Sequence, residues 1–282
     1  MIFRLLFPRI EVSGANALAG QGAMGYPALT AFLGFSQVVA RAVAGQTEGR
    51  FLHRFAVVHH TGRARFFGIS CDKPTKARYV WFDKEVPGKA REKYWFTPPE
   101  EIHPQVDLTF SLLLETDLPA ERVARLRDDP APLARCLGHR ALGGVIHRAG
   151  EKVMIEPTDA LELLARSGRG HLLVDRTPEL FPNDGRDALD VLLDKLTQPE
   201  EPDTPESLAG DRLFMTHIGY LAISPPAVRT RARGEIPHQH AEPIHGLAAF
   251  RRTHAVNKQT PMFWKPIFNP TQQTYTLKGE QP

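Results

Sequence analysis

The sequence predicts an α+β fold in which strands alternate with short helices and one long basic hairpin stands apart. Three observations carry this expectation. Apolar runs of strand length recur along the chain, at Ile2 to Phe7, Val106 to Leu114 and Leu213 to Ile223. Between them apolar residues fall at helical spacing, as in Phe32 to Val43 and Leu189 to Leu196. From Cys71 to Pro99, lysine and arginine interleave with aromatics in two arms around Pro87-Gly88, a strong turn signal. At 282 residues and 42% hydrophobic the chain can bury a core, and it reads as one domain over 1–282 with a smaller C-terminal α/β portion.

Taken in order, the strand at Ile2 to Phe7 meets Pro8 and Arg9 and passes into a loop holding Gly14, Asn16, Gly20, Gly22 and Gly25. Tyr26-Pro27 follows, with Pro27 suited to the first position of a helix. That helix carries Phe32, Phe35, Val38, Val39 and Val43 on one side. Arg50 to Ser70 reads as two strands about a turn at Thr61-Gly62. The hairpin at 71–99 comes next. Its Lys73, Lys76, Arg78, Lys84, Lys89, Arg91 and Lys93 cannot all be buried, and Tyr79, Trp81, Tyr94 and Phe96 take alternate positions. It is either a gripping arm or an ordinary solvent-facing hairpin.

Val106 to Leu114 reads as a central strand, and Pro119 to Asp129 as a helix turning Val123 and Leu126 inward. Gly143-Gly144, after His139-Arg140, is either a loop whose amides approach a phosphate or a turn between two strands. A short helix capped by Thr158 follows, then a strand at His171 to Val174 and a helix from Arg186 to Leu196 with Leu189, Leu192, Leu193 and Leu196. The proline-rich acidic segment 198–210 reads as a surface loop. Leu213 to Ile223 returns to the core, and Thr271 to Pro282 reads as a loose end.

Charge is segregated. Residues 50–96 hold eleven Lys and Arg against four Asp and Glu; residues 151–211 hold six against fifteen; residues 212–282 hold nine against three. Basic blocks suit a nucleic-acid partner, because each cation placed on a phosphate releases a condensed counterion. Clustered, solvated surface charge is the other reading. No run suits a membrane span or a secretory leader, and Cys71 and Cys136 lack metal-ligand spacing, so a cytoplasmic chain with reduced thiols is expected.

A catalytic reading finds little. His238-Gln239-His240 with His245 has the alternation of a metal pair, yet Glu242 is the single nearby carboxylate and no cysteine joins it. No metal site and no cofactor are expected. His59-His60 could supply a general base for a ribose hydroxyl, but the sequence shows no partner acid or phosphate clamp. No nucleophile motif or paired carboxylate is present.

The opening stretch resembles the Csy-two proteins, the Cas-five-type subunits of the type I-F CRISPR RNA-guided surveillance complex. The resemblance lies in Leu5-Leu6-Phe7-Pro8-Arg9, Ala15-Asn16-Ala17, Gly25-Tyr26-Pro27 and Ala31-Phe32-Leu33-Gly34-Phe35. It resumes at Ser111-Leu112-Leu113-Leu114, at Arg140-Ala141-Leu142-Gly143-Gly144, and from Ile218-Gly219-Tyr220 to Ser224-Pro225. It implies an RRM-like (ferredoxin-like) domain with a β-hairpin thumb, which falls on the basic hairpin. It also implies a non-catalytic role: capping the 5′ handle of the crRNA and joining the Cas-seven-type backbone subunit to the Cas-eight-type large subunit, with target DNA met through the complex. On that reading Arg9, Asn16 and Arg140 contact phosphate or base edges, with Tyr26, Gly143 and Gly144 at the handle. Lys76, Arg78, Lys89 and Arg91 grip the backbone, and Tyr79 or Trp81 stacks on a base. The alternative is a metal-independent endoribonuclease cutting guide precursors. A third is a scaffold whose acidic block docks a basic partner.

Overall fold

The computed structural model describes residues 2–20, 23–45, 51–67, 80–84, 92–96, 103–129, 131–148, 153–156, 159–197, 211–228 and 237–282. In chain order these form β1 (Ile2–Asn16), β2 (Leu18–Gly20), β3 (Ala23–Met24), α1 (Leu29–Ala44), β4 (Leu52–Phe67), β5 (Val80–Lys84), β6 (Glu92–Phe96) and β7 (His103–Asp117). Then come α2 (Ala120–Asp128), α3 (Ala131–Cys136), β8 (Arg140–Ala141), β9 (Gly144–Arg148), β10 (Met154–Glu156), α4 (Ala160–Arg166) and β11 (His171–Asp175). The chain ends with α5 (Ala188–Thr197), β12 (Arg212–Ala222), β13 (Ala241–Arg252), β14 (Phe263–Asn269) and β15 (Thr274–Glu280).

The fold is α+β and dominated by antiparallel sheet. In its first half β10, β1, β7 and β4 lie side by side in that order, every neighbour antiparallel, with β9 and β8 continuing beyond the far end of β1. Alternation along β7 shows why its apolar run is unbroken. Phe110, Leu112 and Leu114 face Phe32 and Val39 of α1 and Val123 and Leu126 of α2, while Leu113 faces Leu163 and Leu164 of α4. A strand covered on both sides needs apolar residues at successive positions.

The second half closes on itself. β4 pairs with β11 and β14, and β11, β13, β12, β15 and β14 follow one another, so six antiparallel strands complete a ring. Trp264, Leu277, Ile218, Ala248 and Leu173 belong to the same buried cluster as the core beneath α1. The indole of Trp264 donates to the Leu173 carbonyl at 3.0 Å, so its one polar atom is satisfied in the interior. The C-terminal half is therefore mainly strand, with α4 and α5 on its outside.

Several expectations are corrected. Thr61-Gly62 is no turn: β4 runs straight through it, with a register shift between His59 and Thr61. Pro27 precedes the helix, which begins at Leu29 after an extended Ala28. On α1, Phe32, Phe35, Val39 and Val43 are buried but Val38 is 52% exposed. The cap of α4 is Asp159, whose carboxylate accepts the Leu161 N–H at 3.1 Å. On α5 only Val191 and Leu192 are buried; Leu189, Leu193 and Leu196 face outward. Residues 274–280 are no loose end, since β15 sits between β12 and β14. The acidic segment 198–210 lies outside the described residues.

Candidate nucleic-acid interface

Asn16, Arg140 and Gly143 are brought together by the β8–β9 hairpin. Arg140 pairs with Val145 and Ala141 with Gly144, which leaves Leu142 and Gly143 as a two-residue connection. Their φ values of 56° and 84° are both positive, the signature of a type I′ turn that matches the twist of its strands. Gly144 is needed for a different reason. A Cβ there would lie 2.4 Å from the Ser13 carbonyl oxygen and 2.7 Å from the Ala15 nitrogen, so β1 could not approach. The Leu142 carbonyl then accepts the Asn16 N–H at 2.8 Å, tying the turn to the end of β1.

This places exposed Asn16 and Arg140 at a cleft of about 490 Å³, with Leu18, Phe35 and Val38 among its apolar lining. Asn16 keeps its side-chain oxygen on the Leu18 N–H at 2.9 Å, so its amide NH2 is directed away from that bond. Gly143 is exposed, whereas Gly144 is buried and offers no surface to a ligand. Of the Gly-Gly pair, then, one residue makes the turn and the other permits packing.

Arg9 sits elsewhere, at a bulge in β1 where the register shifts between Phe7 and Ile10. Its φ is 49°, and its backbone N–H donates to Ser111 Oγ at 3.0 Å. Ser111 also meets His60 Nε2 at 2.7 Å, and His60 Nδ1 donates to the Arg169 carbonyl at 2.8 Å. A carbonyl can only accept, so the neutral ring carries its hydrogen on Nδ1 and Ser111 donates to Nε2. Burial lowers the His60 pKa; the Arg169 contact opposes this, while Arg9 and His171 add to the lowering. His171 is lowered in turn by burial and by Arg252 and Arg212. Arg9, Arg212 and Arg252 thus hold the local potential positive and favour the neutral form of His60 and His171. A separate groove of about 410 Å³ crosses β1, β4, β7 and β9, lined by Glu11, Ser13, Thr61, Arg63, Asp107, Thr109 and His147.

Tyr26 joins neither group. Its ring packs on Phe32, His59, Phe214 and Phe250, and its hydroxyl is buried without a hydrogen-bond partner. Burial drives its pKa far above the ordinary phenol value. His59 belongs to the same aromatic cluster, and burial, His171 and His60 lower its pKa to about 4.

Of the basic hairpin, β5 and β6 pair antiparallel with Trp81 opposite Trp95 and Phe82 opposite Tyr94. Lys76, Arg78, Tyr79, Lys89 and Arg91 lie outside the described residues. His245 faces His217 across β13 and β12, while His238 forms an isolated bridge with Ala227. Among the described residues no three His, Cys, Asp or Glu side chains gather as metal ligands, and no helix is long and apolar enough to cross a membrane. Ser111, Arg169 and His171 were missed in the sequence. The only signal was the His59-His60 pair, since Ser111 reads as part of an apolar strand.

Residues 5–277 match the family model of CRISPR-associated protein (Cas_Csy2). The chain belongs to the Cas_Csy2 family. Cas_Csy2 proteins are subunits of the type I-F CRISPR Cascade assembly, and nearly all of this chain lies within the match. The Asn16–Arg140 cleft and the Arg9–Ser111–His60 junction both fall inside it.

Proposed function

We propose that this Cas_Csy2 chain is a non-catalytic RNA-binding subunit that holds the 5′ handle of the crRNA. The observation that carries this is the meeting of Asn16 and Arg140, from sequence positions far apart, at one cleft beside a turn whose Gly143 is exposed. An asparagine with a spare amide and an arginine without a carboxylate partner among the described residues suit a phosphate or a base edge. Arg9 supplies a second cationic contact on the same strand as Asn16.

The order β10–β1–β7–β4, with α1 after β1 and α2 after β7, supports an RRM-like reading of the first half. On this reading β5 and β6 are part of a basic thumb that grips the RNA backbone. The subunit then joins a Cas-seven-type backbone to a Cas-eight-type large subunit and works in the cytoplasm. The non-catalytic part rests on the histidines. Both ring nitrogens of His60 are engaged, and the Nδ1 of His59 is buried against aromatic rings with no hydrogen-bond partner, which shields it from a ribose hydroxyl.

The test is photo-crosslinking in the assembled complex, with a photoreactive nucleotide in the 5′ handle. Crosslinked peptides from residues around Asn16, Arg140 and Arg9 are expected. Crosslinks confined to other subunits overturn the proposal. Cleavage of repeat RNA by the purified chain in EDTA, lost in His60→Ala, favours the endoribonuclease instead.

A further inference from the structure

Three aromatic residues stand in one row across neighbouring strands of the ring. Tyr220 on β12 is directly opposite Tyr275 on β15, and Tyr275 is directly opposite Phe268 on β14. Directly opposed residues point to the same side of a sheet, on strands about 4.8 Å apart. Tyr220 is 42% exposed and Phe268 58% exposed. The middle ring is half-buried and fixed, because the Gln37 side-chain amide of α1 donates to the Tyr275 hydroxyl at 3.2 Å. Tyr220 is braced by the His217 ring, edge to face at 4.6 Å. Arg41 lies one turn along α1, its Nε on the Gln37 carbonyl at 3.3 Å, with no carboxylate partner among the described residues. Lys265 on β14 and Lys278 on β15 are opposed to each other and out of phase with the row, so they face the other side of the sheet, where Lys265 is paired with Glu280.

We infer that this row is a stacking platform for unpaired nucleotides of a single nucleic-acid strand, separate from the handle site. Flat rings held at fixed positions on a sheet accept bases of any sequence, because every base offers a π-face. Arg41 supplies a cationic group for the backbone between those bases. An apolar protein partner is the competing occupant. The row answers it poorly, since its polar edge is made of a tyrosine hydroxyl, a glutamine amide and a guanidinium with no carboxylate partner among the described residues. The strand could be the guide RNA itself or an opened DNA strand, which share this chemistry.

The test uses the full chain with eight-nucleotide oligo(U) and oligo(dT), neither of which carries a handle sequence. Binding is read by fluorescence anisotropy and by the position of ultraviolet crosslinks. Crosslinks are expected on the peptides holding Tyr220 and Phe268. Tyr220→Ala and Phe268→Ala should each weaken binding about five-fold or more. Phe268→Leu keeps an apolar side chain but loses the π-face, and should weaken binding as much as Phe268→Ala. Phe268→Trp should restore it. A preference for one oligonucleotide identifies the source of the strand. Wild-type affinity in Phe268→Leu, or no crosslink to either peptide, overturns the inference. Because the crosslinks are read at β12 and β14, failure at Asn16 and Arg140 leaves this result unaffected.

Discussion

Ser111 Oγ lies 2.7 Å from His60 Nε2, and through that contact β7 fixes both a histidine of β4 and the bulge of β1. The hydroxyl is fully buried, so water cannot replace it. Ser111→Ala leaves the Arg9 N–H and the His60 Nε2 without a partner, and is expected to cost about 1–3 kcal/mol of stability. Urea unfolding of the purified chain checks this. An unchanged midpoint would mean that the contact contributes nothing to holding Arg9.

The half-buried histidines His59 and His60 make stability depend on pH. His59 and His60 are both lowered in the folded chain, so the unfolded chain binds more protons below the ordinary imidazole value of about 6.5. Their contribution is complete above that pH and is lost as pH falls from about 6.5 toward about 4, the His59 value. Unfolding midpoints measured from pH 7.5 to 4.5 should fall, and His59→Asn should make the fall shallower. A midpoint that rises on acidification contradicts the assignment.

The two adjacent glycines of the β8–β9 turn should respond differently to the same substitution. Gly143→Ala strains a φ of 84° and should cost about 1 kcal/mol. Gly144→Ala drives a methyl into the Ser13 carbonyl and the Ala15 nitrogen, and should cost about 3 kcal/mol. Thermal unfolding of the two variants side by side separates them. Equal losses would show that β1 yields to the added methyl.

Glu115 is nearly buried between Arg4 Nε at 2.7 Å and Arg54 Nε at 2.5 Å, and Arg54 also lies over the Phe263 ring at 4.3 Å. Burial alone would raise its pKa, but the hydrogen bonds and charge of Arg54 and Arg4 outweigh it and the net shift is downward. A lowered carboxylate contributes its stability above the unfolded value of about 4.3 and loses it as pH falls through the folded value. Glu115→Ala at pH 7 leaves two partly buried guanidinium groups facing each other and should cost about 3 kcal/mol. Glu115→Gln, which keeps the shape, should cost less and remove the acid dependence below about pH 4.

Local patterns exposed much of the frame and little of the site. The spacing of Phe32, Phe35, Val39 and Val43 marks α1, and Val38 was misjudged because one exposed valine resembles a buried one in a list of apolar residues. Thr61-Gly62 carries a turn signal, but pairing along the whole of β7 holds β4 extended through it. β15 was hidden because Thr274, Thr276 and Lys278 dilute its apolar content; its alternating Tyr275 and Leu277 gain their burial from β12 and β14. Asn16 and Arg140 were both picked from sequence, yet only the β8–β9 turn reveals that they share a cleft while Arg9 does not. Ser111 was invisible, since a serine in an apolar strand declares nothing until a histidine is found opposite it.

The central claim is that Arg140 and Asn16 hold guide RNA, and its most direct measurement is the salt dependence of binding to an RNA bearing the 5′ handle. The logarithm of the binding constant should fall linearly with the logarithm of salt concentration. Arg140→Ala should weaken binding and flatten that slope by about 0.7, the value for one phosphate contact on a single strand. Asn16→Ala should weaken binding with the slope unchanged. Identical slopes and affinities for the wild-type chain and Arg140→Ala would contradict the account.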